Sequence, residues 1–148
     1  MTRVRAVVQR VSSASVSVDG SVRAACGRGV VVLLGIARGD DVETAERLAP
    51  KVARVRVFED ADGRLDRSLV DVGGDALVVS QFTLVADTRK GTRPSFAAAA
   101  PADEAEPLYE RFCGALEGEG VAVARGVFGA RMEVGLVNDG PVTIILDA

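Results

Sequence analysis

Residues 76–86, Ala-Leu-Val-Val-Ser-Gln-Phe-Thr-Leu-Val-Ala, constrain the fold more than any other stretch. The run is mostly apolar or β-branched and follows the turn signal Gly73-Gly74-Asp75, which predicts a core strand of a sheet. Ser80, Gln81 and Thr83 break its apolar character. A buried hydroxyl or amide costs free energy unless it is hydrogen-bonded, so such residues need a reason to be there. With period 2, Leu77, Val79, Gln81 and Thr83 share one face, and Val78, Ser80, Phe82 and Leu84 share the other. Polar groups then occur on both faces at one level. Two readings follow: they satisfy neighbouring loops, or the strand meets a ligand there.

The length of 148 residues suits about one domain, here residues 1–148, and 48% hydrophobic residues can build a core. The longest apolar run, residues 30–37, is far short of the roughly 20 residues of a membrane span. Residues 1–5 lead into a strand pattern, not a signal peptide. A soluble, cytoplasmic protein with no membrane association is expected. Cys26 and Cys113 are far apart and predict two free thiols. There is no histidine. That removes Ser-His-Asp and Cys-His chemistry and the usual imidazole metal sites, and no metal or cofactor is expected. A net charge of −3 argues against bulk nucleic-acid binding through a large basic surface.

Residues 4–11 read as a strand broken by Ser12-Ser13, and residues 15–18 as a second one. Asp19-Gly20 is a hairpin signal, with residues 21–26 returning antiparallel. Residues 30–37 predict a strand covered on both faces. Ala45, Leu48, Val52 and Val55 have helical spacing, with Pro50 expected to kink or shorten that helix. A short strand ends at Phe58. Residues 59–63 form an acidic turn without the length or ligand positions of a calcium loop, and residues 65–72 a weak extended segment. Arg89, Lys90 and Arg93 make the densest positive patch, either a solvated loop or a contact for an anion such as phosphate. Leu108, Phe112, Ala115 and Leu116 stripe a second helix, with Tyr109 and Cys113 on its flank. Pro107 is expected to mark where its regular part starts. Residues 121–124 predict a strand, residues 126–129 a glycine-flanked loop, and residues 131–137 and 142–146 strands joined by a tight turn at Asn138-Asp139-Gly140-Pro141.

Gln9-Arg10-Val11, Ser80-Gln81-Phe82-Thr83-Leu84, Arg93-Pro94-Ser95-Phe96 and Asn138-Asp139-Gly140-Pro141-Val142-Thr143 occur in this order over nearly the whole chain. In order and spacing they resemble the D-aminoacyl-tRNA deacylases. The resemblance implies a mixed α/β fold, layered β/β/α, with mostly antiparallel, barrel-like sheets and two main helices. It implies a homodimer with active sites at the interface, acting on the aminoacylated 3′ end of tRNA. The activity implied is hydrolysis of the ester of D-aminoacyl-tRNA and of mischarged glycyl-tRNA.

By the same resemblance, Ser80, Gln81, Phe82 and Thr83 form the floor of the site. Gly140 and Pro141, with Asn138 beside them, come from the other subunit, joined by a cis peptide whose carbonyls exclude an L side chain. Arg10 braces that pair, and Met132 lies near the adenosine. The terminal ribose 2′-OH is expected to assist water attack, with backbone N–H groups near Gln81 and Phe82 steadying the oxyanion. Ser80 and Thr83 are positioning residues, because nothing activates them as nucleophiles. Arg131 and Glu133 depart from the family pattern, which has an acid and an amide at these positions. A binding dimer without turnover and a general esterase are the competing classes. The intact motifs weigh against the first, the missing histidine base against the second.

Overall fold

The long strand β1 (Arg5–Val18) is the spine of the sheet. In the computed structural model, which describes residues 3–148, it is paired along both edges. Met1 and Thr2, read above as leading into the first strand, lie outside the described residues. One edge of β1 carries β8 (Glu133–Asp147), antiparallel from Arg5 opposite Asp147 to Ser17 opposite Glu133. The other edge is shared. β3 (Gly29–Gly35) pairs with residues 5–11 and β2 (Ser21–Cys26) with residues 14–18, both antiparallel. Beyond β3 lie β6 (Asp75–Ser80) and β7 (Ala122–Arg125), in parallel register. The order is β2-β1-β3-β6-β7, with β8 on β1. β4 (Arg56–Glu59) and β5 (Leu65–Ser68) form a separate hairpin.

Two helices, α1 (Val42–Arg54) and α3 (Ala102–Gly118), cover one face. Their apolar sides meet Ala6 and Val8 of β1, Val30, Val32 and Leu34 of β3, and Ala76 and Val78 of β6. Leu48, Phe112 and Leu116 are fully buried there, each stabilising the fold by roughly 1.5–3 kcal/mol relative to exposure. The opposite face has its own core of Val11, Ala14, Val16, Val31, Leu77 and Val79. Even-numbered residues of β1 therefore face the helices at Ala6 and Val8 but the second core at Ala14 and Val16. The register with β8 shifts between Gln9 and Ser13, and such irregularities reverse the alternation and curl the strand. That lets β1 serve two layers and produces the expected β/β/α arrangement.

The Asp19-Gly20 hairpin forms as predicted, with φ of 51° and 77°. Asp41 caps α1, its carboxylate accepting from the Thr44 amide at 2.8 Å. Elsewhere the chain departs from its periodicity. β1 does not break at Ser12-Ser13, because β8 remains beside it through the irregularity. Pro50 does not shorten α1, nor does Pro107 mark the start of α3, which begins at Ala102. Each removes one helical hydrogen bond, and the buried apolar face on either side carries the helix through. Residues 65–72 are not one extended segment; after β5, Ser68 and Asp71 form a capping box on the short helix α2 (Leu69–Val72). Tyr109 and Cys113 are not on a flank but fully buried. No described helix is long and apolar enough to cross a membrane.

Candidate active site

The polar residues of the central run end a strand instead of continuing it. β6 stops at Ser80, Gln81 leaves strand geometry with φ −141° and ψ 83°, and residues Phe82–Val85 make one 3₁₀ turn. The two-face assignment of Gln81 and Thr83 therefore fails, since period 2 ends at Ser80. The turn lies over the end of β3: the Gln81 amide donates to the Leu34 carbonyl at 2.8 Å. Gly35 makes this approach possible. A Cβ there would sit 2.9 Å from Leu84 Cβ and 3.1 Å from the Gln81 carbonyl oxygen. The Gln81 amide is thus engaged, which leaves the Phe82 N–H of the two amides expected to steady an oxyanion.

Just beyond the carboxyl ends of the parallel strands β3 and β6 is a cavity of about 440 Å³. Crevices at strand ends of this kind are where open α/β sheets commonly hold ligands. Ser80, Gln81 and Phe82 line one side of it, and Phe128 and Met132 another. Ala102 and Ala105 of α3 close it with small side chains that leave room. Thr83 is not in the lining, but its Oγ1 meets the Gln81 side-chain amide at 2.5 Å. The Met132 sulfur accepts from the Val127 amide at 3.3 Å, which holds the intervening loop closed. Of the cavity residues, the sequence singles out neither Phe128 nor the α3 alanines, nor Ile36, Ala100, Gly129 and Ala130. A phenylalanine between two glycines was the available signal for the first; small helix residues gave none for the second.

Arg10, Asn138, Gly140 and Pro141 do not line this cavity. They form a second constellation at the middle of β8. The expected tight turn is not a chain reversal: β8 runs antiparallel to β1 on both sides of it. Gln9 pairs with Thr143 and Val11 with Asn138, so several residues of β8 stand opposite one of β1 and bulge outward. The Gly140-Pro141 peptide is cis, and both residues are exposed. Gly140 is closely approached by Asn138, whose side-chain nitrogen would be 2.7 Å from an added Cβ. Arg10 is buried, with 6% exposure. Its Nε donates to the Asp139 carbonyl at 2.7 Å and its Nη1 to the Val57 carbonyl at 2.8 Å. The carboxylates of Glu59 and Asp139 lie at 3.7 Å and 3.5 Å. One guanidinium thus ties the bulge to β1 and β4 through its planar set of donors.

The four motifs therefore meet in two pairs. Residues 9–11 hold residues 138–143. In the other pair the rings of Phe82 and Phe96 pack edge to face, centroids 5.2 Å apart. In the basic loop, Arg89 is committed to Asp87, which it contacts from Nε at 3.0 Å and Nη2 at 2.8 Å. Those hydrogen bonds hold the Asp87 carboxyl down to about 2. Lys90 and Arg93 make no side-chain hydrogen bond or ion pair among the described residues. No group of three or more His, Cys, Asp or Glu that could hold a metal occurs among the described residues.

Known proteins resemble the chain along nearly its whole length. A sequence profile of the family described as D-Tyr-tRNA(Tyr) deacylase matches residues 7–147. The D-aminoacyl-tRNA deacylase of Thermomicrobium roseum is 60% identical over 144 residues, 97% of this chain and 94% of the relative. A solved structure titled c-Myc DNA Unwinding Element Binding Protein has a TM-score of 0.91 at 42% identity, covering 97% of this chain and 98% of the other. A second, described as a probable eukaryotic D-amino acid tRNA deacylase, has a TM-score of 0.85 at 21% identity, covering 98% and 99%. At that identity it speaks to the fold alone.

Proposed function

The chain belongs to the D-Tyr-tRNA(Tyr) deacylase family, and from that premise we propose that it hydrolyses the ester of D-aminoacyl-tRNA, and of glycyl-tRNA, while sparing L-aminoacyl groups. It is a hydrolase acting on aminoacyl-tRNA esters. We place its work in the cytoplasm, where charged tRNA is used.

The observation that carries the finer reading is the division of the motifs. The cavity holds Ser80, Gln81, Phe82 and Met132, whereas the Gly140-Pro141 bulge lies outside it on an exposed strand. A site that needs both is completed by a second copy of the chain. β8 is suited to receive one. It is a 15-residue edge strand, paired among the described residues only with β1, and it exposes Val134, Leu136, Val137 and Ile145. Long apolar edges of this kind invite pairing or covering. In the homodimer the partner's bulge closes the cavity, and its main-chain carbonyls leave space for a hydrogen but not for a side chain. A wall of backbone atoms rejects one enantiomer while tolerating many side chains on the other.

The chemistry proposed needs no protein base. Water, assisted by the terminal ribose 2′-OH, adds to the ester carbonyl. The Phe82 N–H stabilises the oxyanion, and collapse breaks the C–O bond to the 3′ oxygen, which takes up a proton. Ser80 and Thr83 position the substrate. Lys90 and Arg93 are offered to phosphates near the tRNA end.

Purified protein incubated with D-tyrosyl-, L-tyrosyl- and glycyl-tRNA checks this. Release from the first and third, with the second spared, is expected. Equal rates on the D and L esters would overturn the chiral reading. Substrate ending in 2′-deoxyadenosine is expected to lose about 100-fold or more, the usual scale of a lost acid–base contribution.

A further inference from the structure

Tyr109 is fully buried on α3, and its hydroxyl donates to the Val78 carbonyl at 2.8 Å. Strand pairing does not account for this. β6 carries the site floor, and Val78 is two residues before Ser80. The same carbonyl also accepts from the Gly126 amide at 2.9 Å, where β7 gives way to the loop that carries Phe128 and Met132. The Tyr109 ring packs against Phe128 with centroids 5.8 Å apart. One side chain therefore touches the strand under the floor of the cavity and the aromatic ring in its wall. Among the described residues the loop has few other hydrogen bonds to hold it. Besides the Gly126 amide, it has the Val127 amide on the Met132 sulfur and a short turn from Ala130 to Val127. Burial raises the phenol pKa, so the hydroxyl stays neutral and remains a donor.

We propose that Tyr109 is a positioning residue that sets the spacing between the Ser80–Phe82 floor and the Phe128–Met132 wall, and with it the fit of the substrate's terminal nucleoside. This rests on the deacylase reading. The hydroxyl fixes the depth of the floor through Val78, and the ring fixes the angle of Phe128. Neither group touches the substrate. Without the hydroxyl, the Val78 carbonyl keeps only the Gly126 amide, and the wall gains freedom relative to the floor. A cavity that must grip a flat base between fixed surfaces loses affinity when one surface drifts.

The test uses Tyr109→Phe, which deletes one oxygen and keeps the ring, with Leu116→Val as a control elsewhere on α3. Binding of a non-hydrolysable amide-linked D-aminoacyl adenosine is measured by calorimetry, and amide exchange by mass spectrometry. Tyr109→Phe is expected to weaken binding about tenfold, to raise KM more than it lowers kcat, and to speed exchange selectively across residues 125–132. Leu116→Val, at an equal or larger loss of melting temperature, is expected to leave binding and that exchange pattern unchanged. Binding within twofold of wild type in Tyr109→Phe, or equal weakening in both variants, overturns the proposal. Wild-type protein that binds the analogue yet releases no D-amino acid from tRNA would refute the deacylase reading instead, and the exchange result would still decide the role of Tyr109.

Discussion

Replacing Arg10 by methionine separates the two jobs the structure gives this side chain. Methionine keeps a long apolar stem and removes the guanidinium. The Val57 carbonyl, reached by a buried hydrogen bond of 2.8 Å, loses its donor. The Asp139 carbonyl, reached at 2.7 Å in a part-buried setting, loses its donor too. Hydrogen bonds from a charged donor contribute roughly 1.5–3 kcal/mol each, with the wetter one at the low end because water can substitute. The carboxylates of Glu59 and Asp139 are about half exposed, at 3.7 Å and 3.5 Å, and contribute little. Burying methionine where a charge was desolvated returns part of the loss. The net cost is about 2–4 kcal/mol, which a typical domain survives. Urea unfolding at fixed protein concentration measures it, since the midpoint of the proposed dimer moves with concentration. Arg10→Lys, with a point charge in place of a planar fork, is expected to recover about half. Both variants are also expected to lower the D-over-L rate ratio tenfold or more, because the Gly140-Pro141 bulge loses its anchor. A cost below about 1 kcal/mol for Arg10→Met, or a lysine variant equal to wild type, would refute the bracing argument.

Gly140→Ala is expected to move the melting temperature by only a few degrees, because the added methyl meets a flexible Asn138 side chain at 2.7–3.0 Å and not backbone. The same variant should admit L-tyrosyl-tRNA measurably, and a mutant with undiminished discrimination would count against the bulge as the selecting surface. Burial pushes the Cys113 thiol from 9.0 up to about 11. Both states hold its proton below pH 9, so it adds no pH dependence there. Between 9 and about 11 the unfolded chain releases a proton the fold retains, and stability falls by on the order of 2 kcal/mol. Cys113→Ala should reduce that alkaline slope in melting scans, leaving the part above pH 10 that the buried Tyr109 phenol contributes, and at pH 8 a thiol reagent should reach half-buried Cys26 but not Cys113 until unfolding.

What could be read from the sequence was whatever regular geometry decides. The strand and helix periods locate most of the sheet and both main helices, and Asp19-Gly20 dictates its own turn. What could not be read depends on neighbours distant in the chain. Pro50 and Pro107 break a local rule, but packing on both sides overrides them. β1 runs on past Ser12-Ser13 because β8, more than a hundred residues later, stays beside it. Ser80-Gln81-Phe82-Thr83 showed that something unusual happens, since polar groups in a core strand need a partner. It could not show that the strand ends there, because that follows from Gly35 and Leu34 receiving the turn. The same holds for Asn138-Asp139-Gly140-Pro141, which in isolation looks like a hairpin loop. Only the pairing on β1 shows it as a bulge, and only Arg10 shows what holds it. Both elements of the proposed site are thus interruptions of regular structure, each held by a residue from elsewhere in the chain. A histidine-free site has reason to be built this way. On the proposed reading, with no imidazole to tune, selectivity and rate rest on where backbone groups are placed, and the ends and bulges of strands are where backbone N–H and C=O groups are free of the ladder.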